Sequence, residues 1–287
     1  MYIIFPLIFL MLSLPSFEQT TFDYQKDFKT ILSKTKDSAS VLAYNKILSR
    51  FQANDTSLSK FETLALLIGF TNQPDYKPYE DLDNENGIFL LNDNGNYEDA
   101  LNDANIYLST HPLSLRVLKE KSYSLHQLKK GDSALYYMDL VHRIMLAMKF
   151  SGNGKTPDSP IFALGLTDGE RFIENLGKTT GNKGTGKNNS GNYLELVDAI
   201  SDEGDHQNMY FIIQHASNNL IGPEKPEHKT KKRKKKDKKP ILQNTETPAL
   251  RNNISPMDIE PYRIERSFLF REAQHKRNTC IYVRLLK

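Results

Sequence analysis

Residues 95–148 read GNYEDALNDANIYLSTHPLSLRVLKEKSYSLHQLKKGDSALYYMDLVHRIMLAM, and this stretch decides the fold. The pair Ala100-Leu101 is followed 34 residues later by the pair Ala134-Leu135. Between the two pairs, apolar and small side chains recur at the spacing of one helix face: Leu115, Leu118, Ser122 and Leu125. A small side chain at Ser122 permits a second helix to cross closely, because a bulky one would push the two axes apart. The stretch therefore predicts paired amphipathic helices.

The same stretch resembles a tetratricopeptide helical hairpin, a repeat whose period is 34 residues. The residues that carry the resemblance occupy the offsets of the second half of that repeat: Gly95, Tyr97, Ala100, Leu101, Leu108 and Pro112. Gly131 is two residues out of register with Gly95, and Ala104 stands where the repeat usually has an aromatic residue. Residues 81–92 make a poor first helix for the preceding unit. We therefore predict one good hairpin with degenerate neighbours.

Helical spacing also governs the chain before this stretch. From residue 22 to residue 70, apolar positions follow the i, i+3, i+4 rule. Ser59 and Glu62 form a capping-box pattern, which predicts that a helix starts there. Residues 71–94 are rich in turn-forming residues and interrupt the helical pattern. The predicted helical domain therefore spans residues 22–150 and contains the tetratricopeptide-like hairpin at residues 95–148.

The character of the chain changes after Phe150, and residues 151–223 are predicted to form a small α/β closing segment. Its predicted elements are a short strand within Ile161–Leu166, a helix capped by Asp168 and stopped at Gly177, a mobile Gly- and Asn-rich loop at residues 178–192, and a hairpin of Tyr193–Ile200 and Met209–Ile213. The predicted fold class is mostly α (α+β), with tetratricopeptide-like helical hairpins followed by a small antiparallel β segment and a disordered basic tail.

Residues 2–14 form an unbroken apolar run, YIIFPLIFLMLSL, before a polar chain. The run has the length of a signal-peptide core and is shorter than the roughly 20 residues that cross a bilayer. We therefore predict a signal peptide at residues 1–19 and an exported protein, periplasmic or extracellular. An uncleaved membrane anchor is the alternative. The single cysteine, Cys280, excludes an internal disulfide framework.

Charge divides the chain into an acidic body and a basic tail. Residues 1–223 carry 20 Lys and Arg against 27 Asp and Glu, whereas residues 224–239 carry 10 against 3. Like charges at that density repel one another, so residues 224–239 are predicted to be a disordered basic linker. Residues 240–287 are predicted to be a largely disordered tail.

The densest part of the linker is a candidate contact for polyanions, and it consists of Lys231, Lys232, Arg233, Lys234, Lys235 and Lys236. Such a run binds any polyanion by counterion release. Outside the cytoplasm, the candidates are anionic lipid headgroups and acidic glycans. A nuclear-import or nucleic-acid role conflicts with export, and the run lacks interleaved aromatic residues that stack on bases. We therefore expect no specific nucleic acid partner. The alternative interpretation is that the run is a solvated spacer that binds no partner.

Two further patterns resemble ligand sites, and each has a simpler interpretation. Gly181–Lys187 approaches a phosphate-binding loop, but Asn188 stands where Ser or Thr must ligate Mg²⁺. Flexible-loop composition explains this first pattern. The second is a set of candidate ligands for a divalent cation, or members of a hydrolytic site: Asp202, Glu203, Asp205 and His206 in the predicted hairpin turn, with His215 further on. A solvated acidic turn is the simpler interpretation of this set.

The remaining histidines and the single cysteine add no assembled site. His111, His126 and His142 lie in or beside the repeat-like helices, and we interpret them as surface or capping residues. A G-x-S-x-G elbow is absent from the sequence, and the only Cys lies in the tail. The sequence therefore assigns no catalytic residue, no metal ligand and no cofactor.

The chain is also similar to a bacterial family of exported proteins known as domain of unknown function 4919. The matching motifs lie between residues 24 and 215 and are, in chain order, Arg50-Phe51, Ala53-Asn54-Asp55-Thr56, Asp75-Tyr76-Lys77-Pro78-Tyr79, the repeat-like hairpin, Ser151-Gly152-Asn153-Gly154, Phe162 with Glu174-Asn175-Leu176-Gly177, and Tyr210-Phe211. The resemblance implies a shared fold and export. It implies no known activity and no catalytic residue, and the basic linker and tail lie outside its pattern.

Paired helices of this kind leave a concave face on which a peptide of another protein can lie. The leading hypothesis is therefore a non-catalytic protein-interaction module with an unknown protein partner, in which Tyr97–Met148 is the contact surface or the core. One alternative is a polyanion or membrane-surface binder that acts through Lys231–Lys236. Another is a hydrolase whose carboxylates and histidine lie around Asp202–His206.

Overall fold

The computed structural model describes residues 22–221, so the predicted signal peptide, basic linker and tail lie outside the described residues. Within this range the chain forms nine helices and four strands. In chain order these are α1 (Tyr24–Lys36), α2 (Tyr44–Gln52), α3 (Lys60–Phe70), α4 (Asp81–Asp93), α5 (Tyr97–Thr110), α6 (Leu115–Gln127), α7 (Gly131–Ser151), β1 (Ile161–Phe162), α8 (Asp168–Asn175), β2 (Thr179–Lys187), β3 (Tyr193–Ile200), β4 (His206–Ile212) and α9 (Gln214–Ile221). The predicted mostly α (α+β) class is confirmed.

The repeat-like helices form two consecutive hairpins whose starts are 34 residues apart. Helix α4 begins at Asp81 and α6 at Leu115, while α5 begins at Tyr97 and α7 at Gly131. The prediction that residues 81–92 make a poor helix inside a turn-rich stretch is therefore wrong. Polar side-chain bonds hold α4 in place, since the Asn92 amide donates to the Glu120 carboxylate at 2.9 Å. These bonds come from α6, so a pattern local to α4 does not reveal them.

Helix α6 is the central element of the helical part. It contacts α4, α5, α7 and α8, and every residue from Leu115 to Leu125 is buried. The small residue that the sequence singled out, Ser122, is fully buried, and its hydroxyl donates to the Ala134 carbonyl of α7 at 2.6 Å. The predicted close approach of two helices at Ser122 is confirmed.

Helix α3 begins where the sequence predicts. The Ser59 hydroxyl accepts a hydrogen bond from the Glu62 backbone N–H, and the Glu62 carboxylate accepts one from the Ser59 backbone N–H. This reciprocal pair is the predicted capping box, and it satisfies two backbone donors that the first turn leaves free. All residues from Thr63 to Phe70 are buried against the neighbouring helices α1, α2 and α7.

The four strands form one sheet in the order β1-β4-β3-β2. The predicted antiparallel hairpin of β3 and β4 is confirmed, with Leu194 opposite Ile212 and Ile200 opposite His206. The predicted small antiparallel β segment is present, and β1 extends it with a strand that lies parallel to β4. The chain passes through α8, β2 and β3 between these two strands, and this long connection permits the parallel pairing.

Residues 178–192 do not form the predicted mobile loop as a whole. Strand β2 occupies Thr179–Lys187 and pairs antiparallel with β3, with a register irregularity between Thr180 and Lys183. Most of its side chains are exposed. Gly and Asn have low strand propensity, so the ladder with β3, rather than the local sequence, determines this strand.

An aromatic cluster joins the first helix to the sheet. The ring of His215 in α9 stacks on Phe162 of β1, with ring centroids 4.5 Å apart. Tyr24 and Phe28 of α1 approach the same histidine at 6.0 and 5.9 Å, and Tyr76 approaches it at 6.2 Å. The cluster therefore fixes the segment around Tyr76 against the sheet.

Among the described residues, no helix combines the length and the apolar character needed to cross a bilayer.

We predict that Ser122→Leu destabilises the fold by about 2–3 kcal/mol, because a larger side chain has no room between α6 and α7. Ser133→Leu is the matched control, since Ser133 is exposed on α7. The control is expected to change the free energy of unfolding by less than about 0.5 kcal/mol. Urea unfolding followed by circular dichroism measures both, and equal small effects would contradict the close packing at Ser122.

Candidate functional site

A pocket opens where helix α4, the α5–α6 connection and the segment before α8 meet. Its cavity volume is about 30 Å³, and it is open to solvent. The residues that line it, here called the carboxylate pocket, are Phe70, Tyr76, Pro78, Asp81, Leu82, Glu85, Tyr107, His111, Leu113, Ser114, Leu164, Gly165, Leu166 and Asp168. Three of these residues are carboxylic acids, and none of these described lining residues is a lysine or an arginine.

Helix α4 places two of the carboxylates on one face. Asp81 and Glu85 are four residues apart in the first half of the helix, so their side chains project in the same direction. Leu82, one residue beyond Asp81, supplies apolar surface beside them. Helix α4, which the sequence predicted to be poor, therefore supplies two of the three carboxylates of the pocket.

Asp81 is held by a histidine and a tyrosine. His111 Nε2 lies 3.2 Å from the Asp81 carboxylate and 2.8 Å from the Asp75 backbone carbonyl. Burial opposes the charging of His111, but Asp81 and the neighbouring carbonyl groups outweigh it and raise the pKa of the imidazole. The Tyr107 ring stacks on His111 with centroids 4.3 Å apart. Burial, with Glu85 and Asp81 nearby, raises the pKa of the Tyr107 phenol, so it remains protonated.

Glu85 is satisfied by two neutral hydroxyl groups. The Ser114 hydroxyl donates to one carboxylate oxygen at 2.6 Å, and the Thr167 hydroxyl donates to the other at 3.3 Å. Ser114 also accepts a bond from the Val117 backbone N–H and so caps α6. Burial raises the pKa of Glu85, and these hydroxyls and the positive field of Arg116 only partly oppose that shift.

Asp168 is the most deeply buried of the three carboxylates. Only 6% of its surface is exposed, and one carboxylate oxygen accepts a bond from the Gly165 backbone N–H at 2.8 Å. Burial is the main cause that raises the pKa of Asp168 to about 7, and the nearby Glu85 adds to the shift. The sequence predicted Asp168 as a helix cap. It is instead the first residue of α8, and Thr167 occupies the cap position.

Aromatic rings form the opposite wall. Tyr76 donates its phenol to the Leu164 carbonyl at 2.9 Å, and its ring meets Phe70 edge to face at 5.9 Å between centroids. Burial raises the pKa of Tyr76 well above its ordinary value, and the charge of Asp168 contributes to the shift. The pocket therefore combines aromatic rings with carboxylates, and this combination attracts a cationic group.

The sequence pattern of a family described as domain of unknown function (DUF4919) matches residues 29–221. The chain belongs to the DUF4919 family. Every residue that lines the carboxylate pocket falls inside the matched range. No curated protein and no solved structure matched the chain.

The acidic turn of this DUF4919 domain does not assemble with its histidines. Asp202, Glu203 and Asp205 are exposed in the β3–β4 connection, and His206 Nδ1 pairs with Asp198 at 2.7 Å. His215 lies beyond the other end of β4 in the aromatic cluster, where burial lowers its pKa to about 4. Across the described residues, no group of three or more His, Cys, Asp or Glu side chains is arranged to hold a metal ion.

The other sequence-predicted positions also lie apart. Gly181–Lys187 belongs to strand β2 and is not a loop between a strand and a helix. His142 is half-buried in α7, and burial lowers its pKa. Lys231–Lys236 lie outside the described residues, so their polyanion role stays a prediction. Of the predicted surface or capping histidines, His111 is the C-cap residue of α5, and it also lines the pocket of the DUF4919 domain.

Sequence reasoning missed the carboxylate pocket as a whole. Its acids come from α4 and from the start of α8, which are more than 80 residues apart. The one usable signal is the spacing of Asp81 and Glu85, which share a face only if residues 81–93 form a helix. Because residues 81–92 were predicted to make a poor helix, the shared face of Asp81 and Glu85 was not predicted.

The raised pKa of Asp168 predicts a pH-dependent stability. The native state holds this proton more tightly than the unfolded state, whose ordinary value is 3.8, so the free energy of unfolding falls as pH rises from about 4 to about 7. The unaltered chain loses part of its free energy of unfolding between about pH 5 and about pH 8. We expect Asp168→Asn to make this loss smaller by on the order of 2 kcal/mol.

Urea unfolding at the two pH values measures this difference, with Asp103→Asn as the control because Asp103 is exposed on α5. Burial also raises the pKa of Glu195 to about 7, so Glu195 likewise lowers the free energy of unfolding as pH rises. This contribution is the same in the unaltered chain, in Asp168→Asn and in Asp103→Asn. His215 contributes the opposite slope between its folded value of about 4 and 6.5, again in all three. Identical pH profiles for Asp168→Asn and the unaltered chain would show that Asp168 is ionised throughout.

Proposed function

We propose that this DUF4919 chain is a non-catalytic protein-interaction module whose carboxylate pocket receives a cationic side chain of a partner protein. One observation carries the proposal: three carboxylates and two tyrosine rings surround one open cavity that no lysine or arginine lines among the described residues. A guanidinium or ammonium group is the chemical complement of such a cavity.

The electrostatics of the pocket favour a positive guest. Glu85 and Asp168 both have raised pKa values because burial penalises their charges. A cation between them would offset that penalty, since an opposite charge within a few ångströms favours the ionised form of a carboxylate. Arginine suits the site better than lysine, because its planar fork donates to carboxylates in pairs and stacks on aromatic faces.

The hydrogen-bond pattern supports binding rather than nucleophilic catalysis. The Ser114 hydroxyl is engaged by Glu85 and by the Val117 backbone N–H. His111 has partners at both ring nitrogens, with Thr110 Oγ1 lying 2.8 Å from Nδ1. A nucleophile needs a free base within hydrogen-bond reach, and neither group is placed for that work.

A hydrolase remains the second candidate, and one observation favours it at the pocket rather than at the predicted turn Asp202–His206. The pKa of Asp168 lies at about 7, which is the range in which a carboxyl group can act as a general acid near neutral pH. Hydrolysis of a panel of nitrophenyl esters and glycosides that Asp168→Asn abolishes, and Glu203→Gln does not, would establish this candidate in place of the binding module.

We predict that the acetylated and amidated tripeptide Gly-Arg-Gly binds the full chain, whereas Gly-citrulline-Gly, its neutral isostere, does not. Glu85→Gln and Asp168→Asn should each weaken binding by about tenfold, since each removes one charged acceptor. Chemical-shift changes at the Tyr107 and His111 amides report occupancy. Glu203→Gln is the matched control on the exposed turn, and equal binding of the two tripeptides would refute the proposal.

We also propose that the module acts outside the cytoplasm, on the strength of the apolar run at residues 2–14. Expression in a bacterial host with a carboxy-terminal tag, followed by fractionation, tests this location. The expected intact mass is short by about 19 residues, because signal peptidase removes the run. Full-length protein in the membrane fraction would indicate the anchored alternative, and full-length cytoplasmic protein would overturn export.

A further inference from the structure

We propose that the basic linker, residues 224–239, docks into the carboxylate pocket of its own chain and is the guest that a partner must displace. The inference rests on the proposed function, because it assigns the same carboxylates to a cationic ligand. It goes further because it identifies a segment of the same chain as the ligand of the pocket. Binding of a partner would then be regulated by the chain itself.

The described chain ends beside the pocket. The side-chain amide of Asn219 in α9 donates to the Tyr76 backbone carbonyl at 3.1 Å, and the Tyr76 ring is part of the pocket wall. His215, one turn earlier in α9, stacks within the aromatic cluster that also contains Tyr76. The last turn of α9 is therefore fixed to the pocket wall, and the basic linker follows directly after it.

The linker is long enough to reach the cavity. Lys231 follows Asn219 by 12 residues. A flexible chain of that length has a root-mean-square span of about 20 Å, and a fully extended one reaches about 40 Å. A tether of this kind maintains a local ligand concentration in the millimolar range. A contact whose intrinsic dissociation constant is about 1 mM or lower is therefore occupied in about half of the molecules or more.

Charge complementarity selects this occupant. The linker carries 10 basic against 3 acidic residues, while the chain before it carries 20 basic against 27 acidic residues. The pocket gathers Asp81, Glu85 and Asp168 around one opening. Glu174, by contrast, forms a salt bridge with Arg171. The acidic lining of the carboxylate pocket is thus complementary in charge to the linker that follows α9.

Paramagnetic relaxation in the full chain tests the docking. A nitroxide is attached at Lys234→Cys in a Cys280→Ser background, so the label has a single site, within the basic linker. We expect broadening of the Tyr76, Tyr107 and His111 amides that disappears in about 0.5 M NaCl, because screening weakens exposed charge contacts. Asp168→Asn should reduce the broadening, whereas Glu203→Gln should leave it unchanged.

Two outcomes would overturn the proposal. Broadening that is absent, or spread evenly over the surface, means that the linker has no site on this domain. Broadening that transfers from labelled chains to unlabelled isotope-enriched chains means that the linker occupies a second copy instead of its own pocket.

A companion variant separates this inference from the proposed function. Substitution of all six residues Lys231–Lys236 by glutamine leaves the described residues untouched. If the linker occupies the pocket, this variant binds the Gly-Arg-Gly tripeptide at least about twofold more tightly than the unaltered chain. Equal affinity for both chains refutes only the docking. Failure of the variant to bind the tripeptide at all refutes the proposed function as well.

Discussion

Helix α6 is buried on every side, so its neighbours must accommodate the charged side chains that it carries. Between Leu115 and Leu125 the helix has no exposed face, although Arg116, Lys119 and Glu120 lie within it. Buried charges are tolerated only when they are paired or hydrogen-bonded. The surrounding helices supply those partners, and the need to supply them fixes how α4 and α8 approach α6.

Helix α8 shows how this requirement shapes the fold. Its Glu174 accepts a salt bridge from Arg171 at 2.9 Å and lies 3.6 Å from Lys119 of α6. On the other side, the Arg116 guanidinium donates to Asn86 of α4 at 3.1 Å and lies over the Phe89 ring. The charged side chains of α6 therefore contact its neighbours, Lys119 through a carboxylate and Arg116 through an amide and a ring. The carboxylate pocket differs from this network, because Glu85 and Asp168 accept their bonds from hydroxyl and amide groups. The pocket thus holds two carboxyl groups whose ionisation is disfavoured by burial, beside a helix whose charged side chains have partners on neighbouring elements.

Features that depend on neighbouring residues could be predicted from the sequence, whereas features that depend on distant ones could not. The capping box of Ser59 and Glu62 involves only four consecutive positions of the sequence. The 34-residue spacing of the repeat-like helices can be recognised as a sequence period. The β3–β4 hairpin joins segments separated by a short turn. Strand β2 and helix α4 escaped prediction because their stability comes from β3 and α6. The pocket escaped it for the same reason, since Asp168 meets Glu85 only after the chain has folded.

The pocket makes stability and ligand binding depend on the same side chains. Burial of Asp168 and Glu85 without a cation in hydrogen-bond contact destabilises the free protein once they ionise, as their raised pKa values indicate. A cation that enters the pocket binds the native state and not the unfolded chain, so it stabilises the fold by mass action. It also lowers the pKa of the two carboxyl groups, because it favours their charged forms. Proton release must therefore accompany binding near neutral pH, and the affinity for a cationic guest must rise with pH across the same range. A fold that carries uncompensated buried acids at an open cavity is thus least stable when that cavity is empty.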